Sequence, residues 1–224
     1  MSQTFNEKRY IPALSFRWLT PLYDPLLKWV MREETFKRKL IQHARIQPRM
    51  SVLDLGCGTG TLTLMLKLAH PNANVTGMDG DEDVLKIARD KSRGADIQWD
   101  KGLASALPYP DSTFDRVVTS LVIHHLVTED KRLAFKEVYR VLRSPDPASG
   151  KPRGELYVLD FGTPHSSLTR FMTKYMRRLE EAADNFDGLI PRFVAEAGFG
   201  AVQEAENFVT VFGPLSIIQA MKGT

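Results

Sequence analysis

The sequence predicts an α/β protein: a doubly wound, mostly parallel seven-stranded sheet with an antiparallel C-terminal strand, plus N-terminal and inserted cap helices. Strand-like and helix-like segments alternate from residue 52 to residue 161, which is typical of a parallel sheet with helices on both faces. Two further strand-like segments, 202–211 and 215–221, flank Gly213-Pro214 as the arms of a hairpin do. We therefore expect five parallel strands followed by an antiparallel edge.

Each predicted element follows from its composition or its spacing. The parallel strands are short, mainly apolar runs at Val52–Leu55, Asn74–Asp79, Ile97–Asp100, Arg116–Ile123 and Glu155–Phe161. The helices show apolar residues at helical spacing or acidic residues in the first turn, at Thr61–Leu68, from Asp81 onward, at Lys131–Leu142 and at Pro191–Gly198. The chain divides into a helical cap at 1–45 and a main domain at 46–224 with a cap helix at 166–184.

Residues 52–60, Val-Leu-Asp-Leu-Gly-Cys-Gly-Thr-Gly, carry the strongest functional signal. Here an apolar strand leads into three glycines at alternate positions, so the backbone can turn sharply and approach a ligand closely. The spacing is not the GxGxxG of dinucleotide-binding loops, since Thr61 occupies the sixth position, and no Gly-Lys-Ser/Thr follows as in a phosphate-binding loop. Asp79, at the tip of the second strand, suits a pair of ribose hydroxyls. The alternatives are a glycine turn without a ligand and a surface aspartate.

The pattern D-x-G-x-G-x-G resembles motif I of the class I S-adenosylmethionine-dependent methyltransferases. The resemblance extends to Val75–Asp79, Ala106–Asp115 and Leu121–Leu126. Glu196–Phe199 and Phe212–Leu215 are similar to the type 11 methyltransferases and to the ubiquinone and menaquinone biosynthesis C-methyltransferases. This resemblance implies a Rossmann-like fold and S-adenosylmethionine as the cofactor, converted to S-adenosylhomocysteine, without a metal.

The resemblance also implies which residues bind the cofactor. Asp54 would supply a counter-charge to the amino group, Asp79 would bind the ribose, and Ser120 would face the methionine part. The glycines would pack under the cofactor. The full implied set is Asp54, Gly56, Cys57, Gly58, Gly60, Asp79, Gly80, Val84, Leu103, Ala104 and Ser120.

Adenine recognition departs from the family pattern. The family has an acid shortly before a Leu-Pro turn, and alignment on Leu107-Pro108 places Leu103 at that position. We therefore expect backbone amides near Leu103 and Ala104 and apolar packing from Val84 to hold the adenine.

Two histidines are the candidate catalytic residues. His124 and His125 follow the fourth predicted strand, where either imidazole could take a proton from a phenol, an enol or an amine. Alternatively, the pair orients the substrate or only satisfies the backbone of the loop. The predicted substrate-binding cap consists of aromatic residues from two segments, Tyr10, Trp18, Tyr23, Phe171 and Tyr175.

Composition limits the compartment and the partners. The 224 residues are 43% hydrophobic and 25% charged, as in an ordinary globular protein, and no apolar run is long enough to span a membrane. A single Cys57 and the absence of a signal-like N-terminus favour the cytoplasm. Ten Lys and Arg against four Asp and Glu give residues 1–50 a charge of +6. We interpret this excess of positive charge as the solvated face of helices. Contact with a membrane surface is left as an alternative, and we expect no nucleic acid as a partner.

The leading hypothesis is methyl transfer to a small apolar or amphipathic acceptor, with methylation of carbon, oxygen or nitrogen left open. A phospholipid headgroup N-methyltransferase at a membrane surface and a non-catalytic S-adenosylmethionine-binding protein are the alternatives. An NAD-dependent oxidoreductase is disfavoured by the glycine spacing. The sequence is compatible with a monomer or a homodimer.

Overall fold

The computed structural model describes residues 33–145, 152–165, 170–171, 173, 182–210 and 213–223. In chain order these residues form α1 (Glu33–Ala44), β1 (Ser51–Leu55), α2 (Thr61–Ala69), β2 (Asn74–Asp79), α3 (Glu82–Lys91), β3 (Ile97–Lys101), β4 (Arg116–Ser120), a 3₁₀ turn (Ile123–His125), α4 (Thr128–Val141), β5 (Glu155–Phe161), α5 (Ala183–Phe186), α6 (Ile190–Glu196), β6 (Phe199–Thr210) and β7 (Gly213–Lys222). Most of the two predicted cap segments lies outside the described residues.

The described strands form one seven-stranded sheet in the order β3-β2-β1-β4-β5-β7-β6. β1 to β5 are parallel, while β7 pairs antiparallel with both β5 and β6. The predicted fold, a mostly parallel Rossmann-like sheet with an antiparallel C-terminal strand, is therefore confirmed. The strand order reverses between β1 and β4, and ligands of such sheets bind beside this reversal, at the carboxyl ends of the strands.

Helices cover both faces of the sheet, and alternate strand residues point to opposite cores. One core combines α1 and α2 with one set of strand residues, including Phe36, Leu40, Leu66, Val52 and Val118. The other combines α4 and α6 with the intervening strand residues, including Phe135, Val138, Phe193, Leu53 and Val117. The helix α1 thus packs on a face of the sheet. Both cores support the carboxyl ends of β1 and β4, where the site is expected.

The fourth strand is shorter than predicted. The prediction ran from Arg116 to Ile123, but β4 ends at Ser120 and the chain then enters the 3₁₀ turn. Leu121 has φ 59°, a left-handed conformation that cannot continue a strand. We call residues 121–125 the β4 turn. Both histidines therefore lie on this turn and not at the end of a strand.

Candidate active site

The glycine loop, residues 56–60, is a left-handed turn that is tied to the end of β2. Gly56, Gly58 and Gly60 have φ values of 71°, 52° and 75°, which residues with a Cβ adopt at a cost. The amides of Gly56 and Cys57 both donate to the Met78 carbonyl, at 2.8 and 2.9 Å. Three left-handed residues within five positions would be costly for any residue with a Cβ, so the turn depends on these three glycines.

The three glycines differ in what surrounds them. A Cβ at Gly56 would lie 2.5 Å from a methyl group of Val122, and one at Gly60 would lie 2.5 Å from the Trp99 ring. A Cβ at Gly58 would meet nothing within 4 Å. Gly56 and Gly60 therefore allow the protein to pack against the loop, while Gly58 faces open space that a ligand can occupy.

Asp79 joins the glycine loop to the start of α3. Its Oδ2 accepts a hydrogen bond from the amide of Gly58 at 2.8 Å, and its Oδ1 accepts one from the amide of Asp81 at 2.9 Å. Burial raises the pKa of Asp79, although these two backbone hydrogen bonds oppose the shift. Each carboxylate oxygen has two lone pairs, so Asp79 can bind a hydroxyl while it holds the loop.

Asp54 lies beneath the glycine loop and is 1% exposed. Its Oδ2 accepts a hydrogen bond from Oγ1 of Thr63, in the first turn of α2, at 2.6 Å. Burial raises the pKa of Asp54 to about 6, against the opposing effects of the Thr63 hydrogen bond and the Lys37 charge. At neutral pH this carboxylate is a buried negative charge whose ionisation is costly unless a cation accompanies it.

The loop at residues 102–109 lies beside the glycine loop and is held from two sides. Gly102 donates its amide to the Asp79 carbonyl at 3.0 Å. The Glu137 Oε2 accepts from the amide of Leu107 at 2.7 Å, and Arg140 donates to the Leu107 carbonyl at 3.0 Å. Leu103 is 43% exposed, so its side chain offers an apolar surface at the rim of the site.

Asp160, at the end of β5, organises the β4 turn. Its Oδ2 accepts backbone hydrogen bonds from Val122, Ile123 and His124 at 3.1, 2.8 and 3.4 Å. Its Oδ1 lies 2.7 Å from Nδ1 of His124 and accepts from the amide of Phe161 at 2.7 Å. Burial alone would raise the pKa of Asp160, but the charge and hydrogen bond of His124 hold it below its usual value. Because Val122 packs on Gly56, Asp160 fixes the β4 turn against the glycine loop.

The two histidines differ in environment. His124 is 5% exposed and paired with Asp160, an arrangement suited to holding the turn. The rings of His125 and His124 are tilted by 43° and their centroids lie 4.0 Å apart. Burial, together with the charge of His124, lowers the pKa of His125 to about 4. The His125 imidazole is therefore neutral at physiological pH.

Two hydroxyl groups at the end of β4 are buried without a hydrogen-bond partner, namely Oγ1 of Thr119 and Oγ of Ser120. Buried polar atoms are usually satisfied, so these two hydroxyls are available to hydrogen-bond a ligand at this strand end. Ser120 stands next to the β4 turn, at the strand end nearest the glycine loop. The hydroxyl of Ser120, the open space over Gly58 and the buried carboxylate of Asp54 together fit a cationic nucleoside cofactor.

Not every predicted site residue lies in this arrangement. Phe171 is 78% exposed, so its side chain contributes little to an enclosed pocket in this structure. The other predicted cap residues, Tyr10, Trp18, Tyr23 and Tyr175, lie outside the described residues. No helix in the described ranges has the length and apolar character needed to cross a membrane.

Sequence reasoning missed three residues that shape the site. Asp160 was assigned only to a strand, although an acid at a strand end is the same signal that identified Asp54 and Asp79. Thr63 carries no pattern that would reveal its bond to Asp54. Trp99 was recognised as a strand residue, and its contact with Gly60 depends on the pairing of β2 with β3.

Comparisons with known proteins agree with this geometry. A family model described as a methyltransferase domain matches residues 52–145. A demethylmenaquinone methyltransferase from Thermus thermophilus is 31% identical over 210 residues, which cover 92% of this chain and 88% of that protein.

Solved structures show the same fold at lower sequence identity. An S-adenosylmethionine-dependent methyltransferase from Methanosarcina mazei matches with a TM-score of 0.60 and 23% identity, over 81% of this chain and 96% of that one. A Haemonchus contortus phosphoethanolamine N-methyltransferase, bound to S-adenosylhomocysteine, matches with a TM-score of 0.69 and 15% identity, over 88% of this chain and 56% of that one. The chain belongs to the class I S-adenosylmethionine-dependent methyltransferases, in the branch of the ubiquinone and menaquinone biosynthesis methyltransferases.

Proposed function

We propose that this methyltransferase methylates a ring carbon of a reduced quinone of the demethylmenaquinone class. The proposal is carried by the relationship to the Thermus thermophilus enzyme, which extends over nearly the whole chain. The apolar surroundings of the β4 turn support it, because the buried rings of Phe161 and Phe186 pack 5.2 Å apart in the core behind this turn. A flat, largely apolar acceptor suits such surroundings better than a charged headgroup does.

The cofactor-binding roles are part of the proposal. S-adenosylmethionine supplies an electrophilic methyl group on a sulfonium. Asp54 faces the cationic amino end of the cofactor, Asp79 accepts from the ribose, and Ser120 contacts the methionine part. The rim formed by Leu103 and Ala104, with Val84, packs on the adenine. In this arrangement the carboxylates of Asp54 and Asp79 and the orphaned hydroxyl of Ser120 each obtain a partner when the cofactor binds.

Asp54→Asn is expected to weaken S-adenosylmethionine binding about ten- to hundredfold, as for the loss of a hydrogen bond to a charged group. The same change should stabilise the free protein at pH 8, because the buried carboxylate is ionised there. A pKa raised from 3.8 to about 6 corresponds to about 3 kcal/mol of stability. Calorimetric titration and thermal unfolding of both proteins without cofactor measure the two effects.

The pH dependence supplies the control for Asp54→Asn. Since the folded-state pKa is raised, the carboxylate costs stability above pH 6, and wild type regains this stability as the pH falls toward 4. The gain in unfolding temperature should therefore be large at pH 8 and shrink by pH 4.5. A gain of the same size at both pH values would contradict the assignment of the pKa to Asp54.

On the acceptor side, the site supplies alignment and a neutral hydrogen-bonding group. Methyl transfer would form a carbon–carbon bond to the ring and break the methyl–sulfur bond. The acceptor hydroxyl must share or lose its proton to make the ring carbon nucleophilic. Loss of the ring proton after transfer would restore the aromatic ring and the hydroxyl, so that one net proton passes to solvent. A neutral His125 can accept a hydrogen bond from that hydroxyl. The pair of His124 and Asp160 holds His125 in place. Alignment and exclusion of water then account for most of the acceleration.

The turnover number at saturating cofactor and acceptor is expected to show no inflection near pH 6.5 attributable to His125, because its pKa is about 4. Rates of wild type and His125→Gln, measured between pH 5.5 and 8.5, test this expectation. We expect profiles of similar shape, with a lower rate in the variant. An inflection near pH 6.5 that disappears in His125→Gln would instead identify a histidine base with an ordinary pKa.

The function itself is tested with the purified protein, S-adenosylmethionine and a chemically reduced short-chain demethylmenaquinone. Mass spectrometry is expected to find a ring-methylated product and an equal amount of S-adenosylhomocysteine. Phosphoethanolamine and NAD serve as the competing ligands. Methylation of phosphoethanolamine with none of the quinol would overturn the proposed acceptor, and tight NAD binding without a response to S-adenosylmethionine would overturn the cofactor roles.

A further inference from the structure

The buried side-chain polar atoms that lack partners in the described part of the chain are confined to one edge of the sheet. They number four and belong to Thr119, Ser120 and Asn185. Thr119 and Ser120 end β4, and Asn185 lies on α5, which packs against the 3₁₀ turn that follows β4. Native proteins satisfy most buried polar groups, so a concentration of exceptions at the carboxyl ends of the strands needs a functional explanation.

Asn185 is the most pronounced of these exceptions. Its side chain is buried, with the residue 1% exposed, and both amide atoms, Nδ2 and Oδ1, are unpaired. The desolvation of an amide without hydrogen bonds is costly, and an apolar residue would avoid this cost. The sequence thus keeps a polar group at a position where folding alone favours an apolar one.

The neighbours of Asn185 hold the amide in this position. On one side, the Asp184 carboxylate accepts from Oγ1 of Thr128 at 2.7 Å and from Nζ of Lys131 at 3.2 Å, which anchors α5 to the start of α4. On the other side, the Phe186 ring packs 5.2 Å from that of Phe161. Asn185 lies between these two anchored residues on α5, and its amide is buried beside the apolar core.

The position corresponds to the acceptor side of the site. Phe161, the neighbour of Phe186, also packs edge-on against His124 at 4.8 Å. The β4 turn that carries His124 touches the glycine loop through Val122 and Gly56. Asn185 therefore stands on the β5 side of the turn, whereas the glycine loop and Asp79 stand on its β1 and β2 side. A ligand group that reaches Asn185 extends beyond the cofactor.

We propose that the side-chain amide of Asn185 recognises an oxygen substituent, a hydroxyl or a carbonyl, on the aromatic ring of the acceptor. This inference rests on the proposed function, and it names the residue that hydrogen-bonds the polar substituent of the ring. A hydroxyl both donates and accepts, which matches the Oδ1 and Nδ2 of one amide. A charged substituent does not fit, because a neutral amide beside apolar rings cannot repay the desolvation of a full charge.

Access to the amide requires a local movement. Because Asn185 is 1% exposed, the acceptor must displace the side chains that now cover it. The helix α5 has four residues, and a helix of this length depends on its tertiary contacts and not on its own stability. We therefore expect the ring to bind with a small rearrangement of α5 and its neighbours.

The test compares 1-naphthol with naphthalene, two rings that differ by one hydroxyl, as ligands of the protein saturated with S-adenosylhomocysteine. Wild type is expected to bind 1-naphthol about tenfold more tightly, the size of one hydrogen bond made in a buried site. In Asn185→Leu this ratio should fall to near one, with unchanged affinity for S-adenosylhomocysteine and an unfolding temperature equal to or above that of wild type. Asn185→Ala, which needs no additional space, should lose the ratio in the same way.

The outcomes separate this inference from the proposed function. An unchanged ratio in either folded variant would overturn the role of Asn185 and leave the quinol acceptor standing. Failure of wild type to bind either ring would overturn an aromatic acceptor and, with it, this inference. If both variants unfold at a lower temperature but keep the preference for 1-naphthol over naphthalene, Asn185 stabilises the fold and does not bind the hydroxyl of the ligand.

Discussion

Gly58→Ala is expected to lower the affinity for S-adenosylmethionine at least tenfold while it changes the stability of the free protein only slightly. Gly58 has φ 52°, and a Cβ there meets no atom within 4 Å, so the only cost to the fold is the left-handed conformation, about 1 kcal/mol. If the cofactor lies over the glycine loop, however, the added methyl group occupies the space that the cofactor needs. Calorimetric titration and urea unfolding measure the two quantities.

Gly94→Ala is the matched control for this prediction. Gly94 follows α3 with φ 84°, and a Cβ there also meets nothing within 4 Å, but the residue lies away from the proposed site. We expect the same modest loss of stability and no change in cofactor affinity. Equal affinities in the Gly58 and Gly94 variants would mean that the cofactor does not pass over the glycine loop.

Gly60→Ala separates packing from ligand contact at the same loop. Its Cβ would lie 2.5 Å from the Trp99 ring and 2.9 Å from Cβ of Ala88. The Trp99 ring also packs closely on the backbone of Gly77, where an added Cβ would lie 2.5 Å from the ring, so it has little room to move aside. Overpacking of this kind costs about 1–3 kcal/mol in addition to the left-handed conformation. This variant should therefore lose both stability and cofactor affinity, unlike Gly58→Ala.

The glycine loop and the parallel strands are predictable from sequence because their determinants are local. Apolar runs such as Val52–Leu55 are buried in the middle of a parallel sheet, and three alternate glycines allow one kind of turn. The alternation of strands and helices also predicts a doubly wound, mostly parallel sheet, whose crossover connections are right-handed. The sequence therefore predicts that the glycine loop and Asp79 lie at the carboxyl edge of the sheet, where ligands of such sheets bind.

The β4 turn is not predictable in this way, because its determinant is distant in sequence. Residues 116–123 include five apolar residues, four of them β-branched, and favour a strand, yet the chain leaves the sheet after Ser120. The carboxylate of Asp160 accepts from the amides of Val122 and Ile123, which are 38 and 37 residues earlier in the chain. A strand preference of a few residues is outweighed by several charge-assisted hydrogen bonds in a buried position.

The unpaired amide of Asn185 illustrates a second limit. Its residue type in an amphipathic segment is unremarkable, and the sequence does not reveal whether a partner is near. Only the packing of α5 between Lys131 and Phe161 shows that the amide is buried and unsatisfied. Whether a buried polar group has a hydrogen-bond partner depends on the assembled fold. A site that is recognised by its unpaired polar groups can therefore be found only in the structure.

Asp160→Asn is expected to reduce kcat/KM for the quinol acceptor by about a hundredfold, since a displacement of about 1 Å at a reacting site can have an effect of that size. An amide in place of the carboxylate puts an NH₂ group opposite one of two sets of partners: the backbone amides of the β4 turn, or Nδ1 of His124 and the backbone amide of Phe161. The turn that carries His125 and supports Gly56 should then shift. Because the pKa of Asp160 lies below its usual value, wild type should lose this contribution to stability only as the pH falls below about 4.

Asp115→Asn is the control that distinguishes positioning from general loss of stability. Asp115 is also buried, and its carboxylate accepts from the amide of Ser51 at 2.9 Å and from Nε of Arg143 at 2.7 Å. It immediately precedes β4, at the amino-terminal edge of the sheet and opposite the site. Both variants should unfold at lower temperature, by a few degrees per kcal/mol lost. Only Asp160→Asn should reduce kcat/KM per folded molecule, because Asp160, unlike Asp115, holds the turn that packs on the glycine loop. Comparable losses of kcat/KM in the two variants would contradict that connection and reduce Asp160 to one more buried carboxylate of the fold.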